Sequence, residues 1–108
     1  VPHDPKLAEL MRRALRKREG IVEKKMFGGY CWMLNGNMLC GVEVGRYMFR
    51  VGKDQEALAL SRSGASPMDI TGRPMHGFVW VKADGAKGRQ LERWINLAEK
   101  YVGSLPPK

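Results

Sequence analysis

The sequence predicts an α+β fold, an antiparallel sheet of about four to five strands with N-terminal and C-terminal helices packed on it. Three observations carry this expectation. Apolar residues recur at helical spacing near both ends of the chain: Leu7, Leu10, Met11, Ala14 and Leu15, then Leu91, Trp94, Ile95, Ala98, Tyr101 and Val102. Between them two apolar runs flank Asn35-Gly36, the dipeptide best suited to a two-residue hairpin turn. The resulting order, α-β-β-β-β-α-β-α, lacks the strand–helix alternation of a parallel sheet. With 108 residues, 44% of them apolar, the chain has the size and the side chains for one core, and residues 1–108 read as a single domain.

The first helix is expected over residues 4–18. Asp4 serves as N-cap, Pro5 takes the first helical position, and Arg16, Lys17 and Arg18 suit the negative end of the helix dipole. Gly20 then offers a stop. Ile21 to Phe27 reads as a strand, and Lys24-Lys25 make it an edge or one-sided strand. Gly28-Gly29 suit a bend or bulge, because a strand rather than a helix N-terminus follows them. A tight turn at Asn35-Gly36 pairs Leu34 with Asn37, Met33 with Met38, Trp32 with Leu39 and Cys31 with Cys40. A turn at Gly45-Arg46 pairs Val44 with Tyr47 and Val42 with Phe49.

Alternation along these strands sorts the side chains onto two faces. Cys31, Met33, Met38, Cys40, Val42, Val44, Tyr47, Phe49 and Val51 form the expected core face. Tyr30, Trp32, Leu34, Leu39 and Met48 lie on the other, beside Glu43 and Arg50, and that face is too apolar to be bathed in water throughout. Beyond it, Asp54 caps a short helix to about Leu60, and a polar connection runs from Ser61 to Met75 with an extended piece near Met68-Asp69-Ile70. Gly77 to Val81 is apolar on both faces and reads as an interior strand, followed by a last helix over residues 86–102.

Nineteen Lys and Arg against eleven Asp and Glu give a formal charge of +8, which permits attraction to nucleic acid, anionic surfaces or acidic proteins. The densest cluster is Arg12, Arg13, Arg16, Lys17 and Arg18 on the first helix, with Lys24 and Lys25 just beyond; Lys82, Lys87, Arg89 and Arg93 form a second. One helical turn separates Arg12 from Arg16 and Arg13 from Lys17, so these side chains could track phosphates or form a solvated face broken by Glu9, Glu19 and Glu23. Mean hydropathy is −0.39, and no apolar run approaches the roughly 20 residues of a membrane span. Residues 1–20 are charged and amphipathic rather than signal-like, so the expected location is cytoplasmic, with no membrane partner.

The chemistry-bearing residues are few. In the register above Cys31 and Cys40 face each other at a non-hydrogen-bonded site, where a disulfide would be short and easily reduced, a candidate redox pair. The same residues serve equally as two reduced, buried thiols. Two cysteines and two histidines, His3 and His76, without metal-ligand spacing, imply no metal and no cofactor. A thiol nucleophile would need His76 beside a cysteine that points into the core, and Ser61, Ser63 and Ser66 lack a strand–turn–helix setting. The chain is therefore expected not to be an enzyme.

The run Met26-Phe27-Gly28-Gly29-Tyr30, leading into the Asn35-Gly36 turn, resembles the opening of the sheet in the N-terminal domain of the TfoX/Sxy competence-regulator family. The stretch from Ser66 to Asp69, then Thr71-Gly72-Arg73-Pro74-Met75-His76-Gly77 entering Phe78 to Val81, is similar to that family's second block. The likeness spans roughly residues 6–102 and implies an α+β regulatory domain standing alone, without the second domain of the longer regulators. It implies no catalytic residues and, by itself, no competence control. The leading expectation is a regulatory or adaptor domain that binds a protein partner or a second copy through Tyr30, Trp32, Leu39 and Met48. The alternative is a sequence-nonspecific nucleic-acid-binding module using Arg12, Arg13, Arg16, Lys17 and Arg18.

Overall fold

All helices of this domain pack on one side of a single six-stranded antiparallel sheet, so the sheet has one covered and one open face. The computed structural model describes residues 4–26, 29–70 and 72–108. Helix α1 spans Pro5–Leu15, the strands are β1 (Ile21–Met26), β2 (Gly29–Leu34), β3 (Asn37–Glu43), β4 (Arg46–Arg50), β5 (Ala65–Ile70) and β6 (Arg73–Lys82), and helices α2 (Glu56–Leu60) and α3 (Arg89–Val102) complete the fold. Their order in the sheet is β1-β2-β3-β4-β6-β5. The expected α+β class holds, with six strands rather than four to five. The additional pairing comes from the polar connection: Ala65–Ile70 forms a full edge strand against β6, although Pro67 withholds a donor from the ladder.

Local chemistry accounts for the elements. The Asp4 carboxylate accepts the Leu7 backbone N–H at 3.2 Å, capping α1 as expected, and its second oxygen accepts from Gly45 N–H at 3.2 Å. The helix ends at Leu15, three residues earlier than expected, so the cations of its last turn are Arg12 and Arg13. Released from α1, Arg18 reaches α3, donating to Glu99 and to Asn96 Oδ1 at 2.8 Å. Asp54 does not cap α2; it lies inside a preceding single 3₁₀ turn, and Gln55 holds the junction by donating to the carbonyls of Val51 and Leu97. Strand β1 is an edge, as its lysines imply. Of the bend or bulge expected at Gly28-Gly29, Gly28 lies outside the described residues, as do Phe27, His3 and Thr71.

Register decides which side chains share a face. Asn35 and Gly36 both have positive φ, 52° and 85°, as a type I′ turn requires, and Leu34–Asn37 and Met33–Met38 pair as expected. The next pair, however, is Trp32 with Cys40: β3 carries one extra residue, Leu39, in a bulge. Every pairing beyond it moves by one, so Cys31 faces Gly41 and Tyr30 faces Val42. At the following turn Val44-Gly45, not Gly45-Arg46, forms the loop, and Val42 pairs with Tyr47 and Cys40 with Phe49. That shift is by two residues, which preserves faces; the bulge shifts by one, which exchanges them.

Two rows of side chains therefore run under the helices: Trp32–Cys40–Phe49–Val79 and Tyr30–Val42–Tyr47–Val81. Phe49 stacks on Trp94 of α3 with centroids 5.4 Å apart, and Cys40 Sγ lies 3.7 Å from Met11 Sδ of α1. The C-terminal residues fold back over the first hairpin, where Lys108 N–H donates to the Asn35 carbonyl and Asn37 Nδ2 to that of Pro106.

Candidate functional site

The opposite row, Cys31–Gly41–Met48–Trp80, crosses the middle of the open face, flanked by Glu43–Arg46–Lys82 on one side and Arg50–Phe78 on the other. All of these but Lys82 border a groove of about 550 Å³. Its floor is low because Gly41 has no side chain: a Cβ there would stand 3.4 Å from Met48 Cε and 3.5 Å from Cys31 Sγ. Met38, Met68 and Met75 line it as well, so four of the seven methionines of the chain converge on one depression. β6 kinks at Gly77, with φ of 90°, where its carbonyl accepts from both Val51 and Gly52 N–H.

Charge is arranged at the rim. Arg46 donates from Nε and Nη2 to Glu43 Oε1, at 2.9 and 2.7 Å, and its guanidinium lies 3.6 Å over the Trp80 ring. Arg50 sits over Phe78 and Tyr101, 5.5 and 5.6 Å from their centroids. Burial pushes the Cys31 thiol above its ordinary pKa, so the groove contains a protonated thiol rather than a thiolate at neutral pH.

Of the expected partner surface, Met48 and Tyr30 border this groove. Trp32 and Leu39 are core, 2% and 0% exposed, because the bulge turns both beneath the helices. Tyr30 is half-buried on the helix side, with Arg12 5.1 Å over its ring. The cysteines are likewise separated: Cys31 borders the groove, Cys40 packs in the core, and both are free. The expected face-to-face pair is thus corrected by the same extra residue. His76 lies beside Glu56, Nδ1 3.5 Å from Oε2, rather than beside a cysteine.

The basic cluster of α1 is mostly engaged with carboxylates. Arg12 grips Glu23 through two hydrogen bonds, 2.7 and 3.0 Å, holding that carboxyl below its usual pKa range. Arg13 pairs with Glu9 at 3.3 Å and Arg18 with Glu99. Arg16 and Lys17 remain exposed, as do Lys24 and Lys25 on β1. In the second cluster Lys87 pairs with Asp84, while Arg89 and Arg93 are exposed along α3. Among the described residues no three His, Cys, Asp or Glu side chains gather as a metal site would need, and no helix is long and apolar enough to cross a membrane.

One six-stranded antiparallel sheet, with helices on one face and a methionine-lined groove on the other, defines a small α+β domain. The model of the TfoX N-terminal domain family matches residues 13–101, and the chain belongs to that family. Membership points to a regulatory domain of the competence-related class. No curated protein and no solved structure matches the chain.

Proposed function

We propose that this chain is a non-enzymatic regulatory or adaptor domain that works by engaging a protein partner through the open face of its sheet. One observation carries the reading: a sheet whose helices all lie on one side leaves an apolar groove of about 550 Å³ uncovered on the other. Methionine walls suit a surface that must adapt to what it meets. The charge of +8 favours an acidic partner over a second copy, which it would repel. Engagement of Arg12, Arg13 and Arg18 with carboxylates leaves Arg16 and Lys17 as the only two exposed cations of the expected cluster without a carboxylate partner among the described residues, which weakens the case for a phosphate track there.

The test compares two surfaces. Met38→Glu charges the groove; Arg16→Glu with Lys17→Glu reverses the helix. A protein captured by the domain, then purified and titrated by calorimetry, is expected to lose affinity for Met38→Glu and keep it for the helix variant. Loss confined to the helix variant would overturn the reading. So would micromolar binding of duplex DNA with a steep salt slope that the helix variant abolishes.

A further inference from the structure

The groove meets a second recess. Arg50 and Phe78 border both, and the recess, about 360 Å³, is lined further by Lys53, His76 and Tyr101. Arg50 occupies the seam. It is half-buried, and among the described residues its guanidinium meets two aromatic rings and no carboxylate. The other guanidinium in the groove wall, on Arg46, is neutralised by Glu43. Asp69 at the groove and Lys53 and Asp54 at the recess are exposed and solvated, so among the described residues a bound molecule would meet Arg50 as the half-buried charge without a carboxylate partner.

The apolar surface on offer is equally specific. The Trp80 and Phe78 rings each already carry a guanidinium, so a planar ligand gains little from stacking there. What remains is thioether and thiol: Met38, Met48, Met68, Met75 and Cys31 around the missing side chain of Gly41. Unbranched methionines follow the contour of a flexible chain better than that of a rigid ring. The volume lies within the range of small-molecule sites.

We infer that the groove binds a small, freely diffusing amphipathic acid, with its apolar chain along the methionines and its anionic head on Arg50 at the mouth of the recess. The site shares the open face with the protein-binding reading but stands without it, since occupation needs no partner.

Decanoate tests it in the absence of any partner. Titration of the ¹³C-methyl-methionine-labelled domain is expected to shift the Met38, Met48, Met68 and Met75 methyls saturably at one equivalent, leaving Met11 still. Decanol and decylammonium, with the same chain and no anion, should bind about tenfold more weakly or worse. Arg50→Gln should bring decanoate down to the decanol level, and Arg50→Glu should reverse the preference toward decylammonium; Arg62→Gln, on the helix side, should change nothing. If the Arg50 variants fail to fold, the ranking of the three probes on the unaltered domain decides alone. Equal affinity for all three, or shifts scattered over the core, would overturn the proposal. So would pelleting with phosphatidylglycerol vesicles when free decanoate leaves the methyls unmoved, which would assign the chemistry to a lipid surface.

Discussion

Trp32→Ala separates two views of the first hairpin by the size of its effect. Trp32 is 2% exposed, pairs with Cys40 across the bulge and with Glu23 of β1, and sits 6.4 Å from the Tyr30 ring. Removing a buried indole costs about 3–5 kcal/mol, through lost transfer energy and the cavity left between sheet and α1. A domain of this size has roughly 5–15 kcal/mol in all, so the variant should stay folded at low temperature but melt well below the parent. At about 4–8 °C per kcal/mol, the melting temperature should fall by at least ~12 °C. Urea unfolding should show the same loss as a shift in midpoint at constant slope. Trp32→Phe, which keeps most of the volume, should recover at least half of it. A loss below about 1 kcal/mol, accompanied by weaker partner binding, would refute the placement of Trp32 in the core and restore it to an interface.

Four further outcomes follow from the geometry. Oxidation by diamide should leave the monomer without an internal disulfide, by intact mass, because Cys31 and Cys40 point to opposite faces; a native thiol titration should label Cys31 slowly and Cys40 only on unfolding. Tyr47 buries a hydroxyl without a partner among the described residues, and burial with the nearby Asp4 charge pushes its pKa up to about 12, so Tyr47→Phe should be neutral or stabilise by up to ~1 kcal/mol in urea unfolding. The Arg12–Glu23 pair lowers the folded pKa of Glu23 below 4.5, so its stabilisation is complete above that value and fades as pH falls through the folded pKa. Both side chains are more than a third exposed, and a double-mutant cycle at pH 7 should return only ~0.5–1 kcal/mol, shrinking toward zero in acid. Gly52→Ala should destabilise by more than ~1 kcal/mol on thermal melting, because φ there is 84° and the added Cβ would stand 2.5 Å from the Tyr101 ring.

The legible part of this fold was the part fixed by neighbours in sequence. Asp4-Pro5 before an apolar stripe located the start of α1, and Asn35-Gly36 set the hairpin and its first two pairs, because caps and two-residue turns are decided within a few bonds. The bulge at Leu39 left no such mark. Leu39 and Cys40 are both small enough and apolar enough to be buried, and only the packing of α1 and α3 decides that both turn inward. One extra residue moves Trp32 and Leu39 of the candidate surface into the core and Cys31 onto the open face, while Met48 stays at the groove. β5 was half legible: Met68 to Ile70 reads as extended, but Ala65-Ser66-Pro67 joins the ladder through tertiary pairing that no local preference requires. The groove did have a faint signal in the methionines at 38, 48, 68 and 75, which share no period and become neighbours only in three dimensions.

The division of residue types between the two faces argues that the open one is a working surface rather than an unfinished core. Beneath the helices stand Phe49, Tyr47, Val42, Val79, Val81 and Trp94, aromatic and β-branched side chains with few rotamers, which fix the sheet rigidly. On the open side, beside Phe78 and Trp80 under their guanidinium groups, the sheet carries methionine, cysteine and glycine, which fix little. A second helical layer would be expected to select complementary, well-defined shapes there, as the first one does. Soft side chains over a stiff support instead give a surface that reshapes around an occupant without disturbing the fold. Charge follows the same division. Arg12, Arg13 and Arg18 hold carboxylates, and Arg46 holds Glu43, whereas Arg50 at the seam of the groove is left to meet whatever arrives.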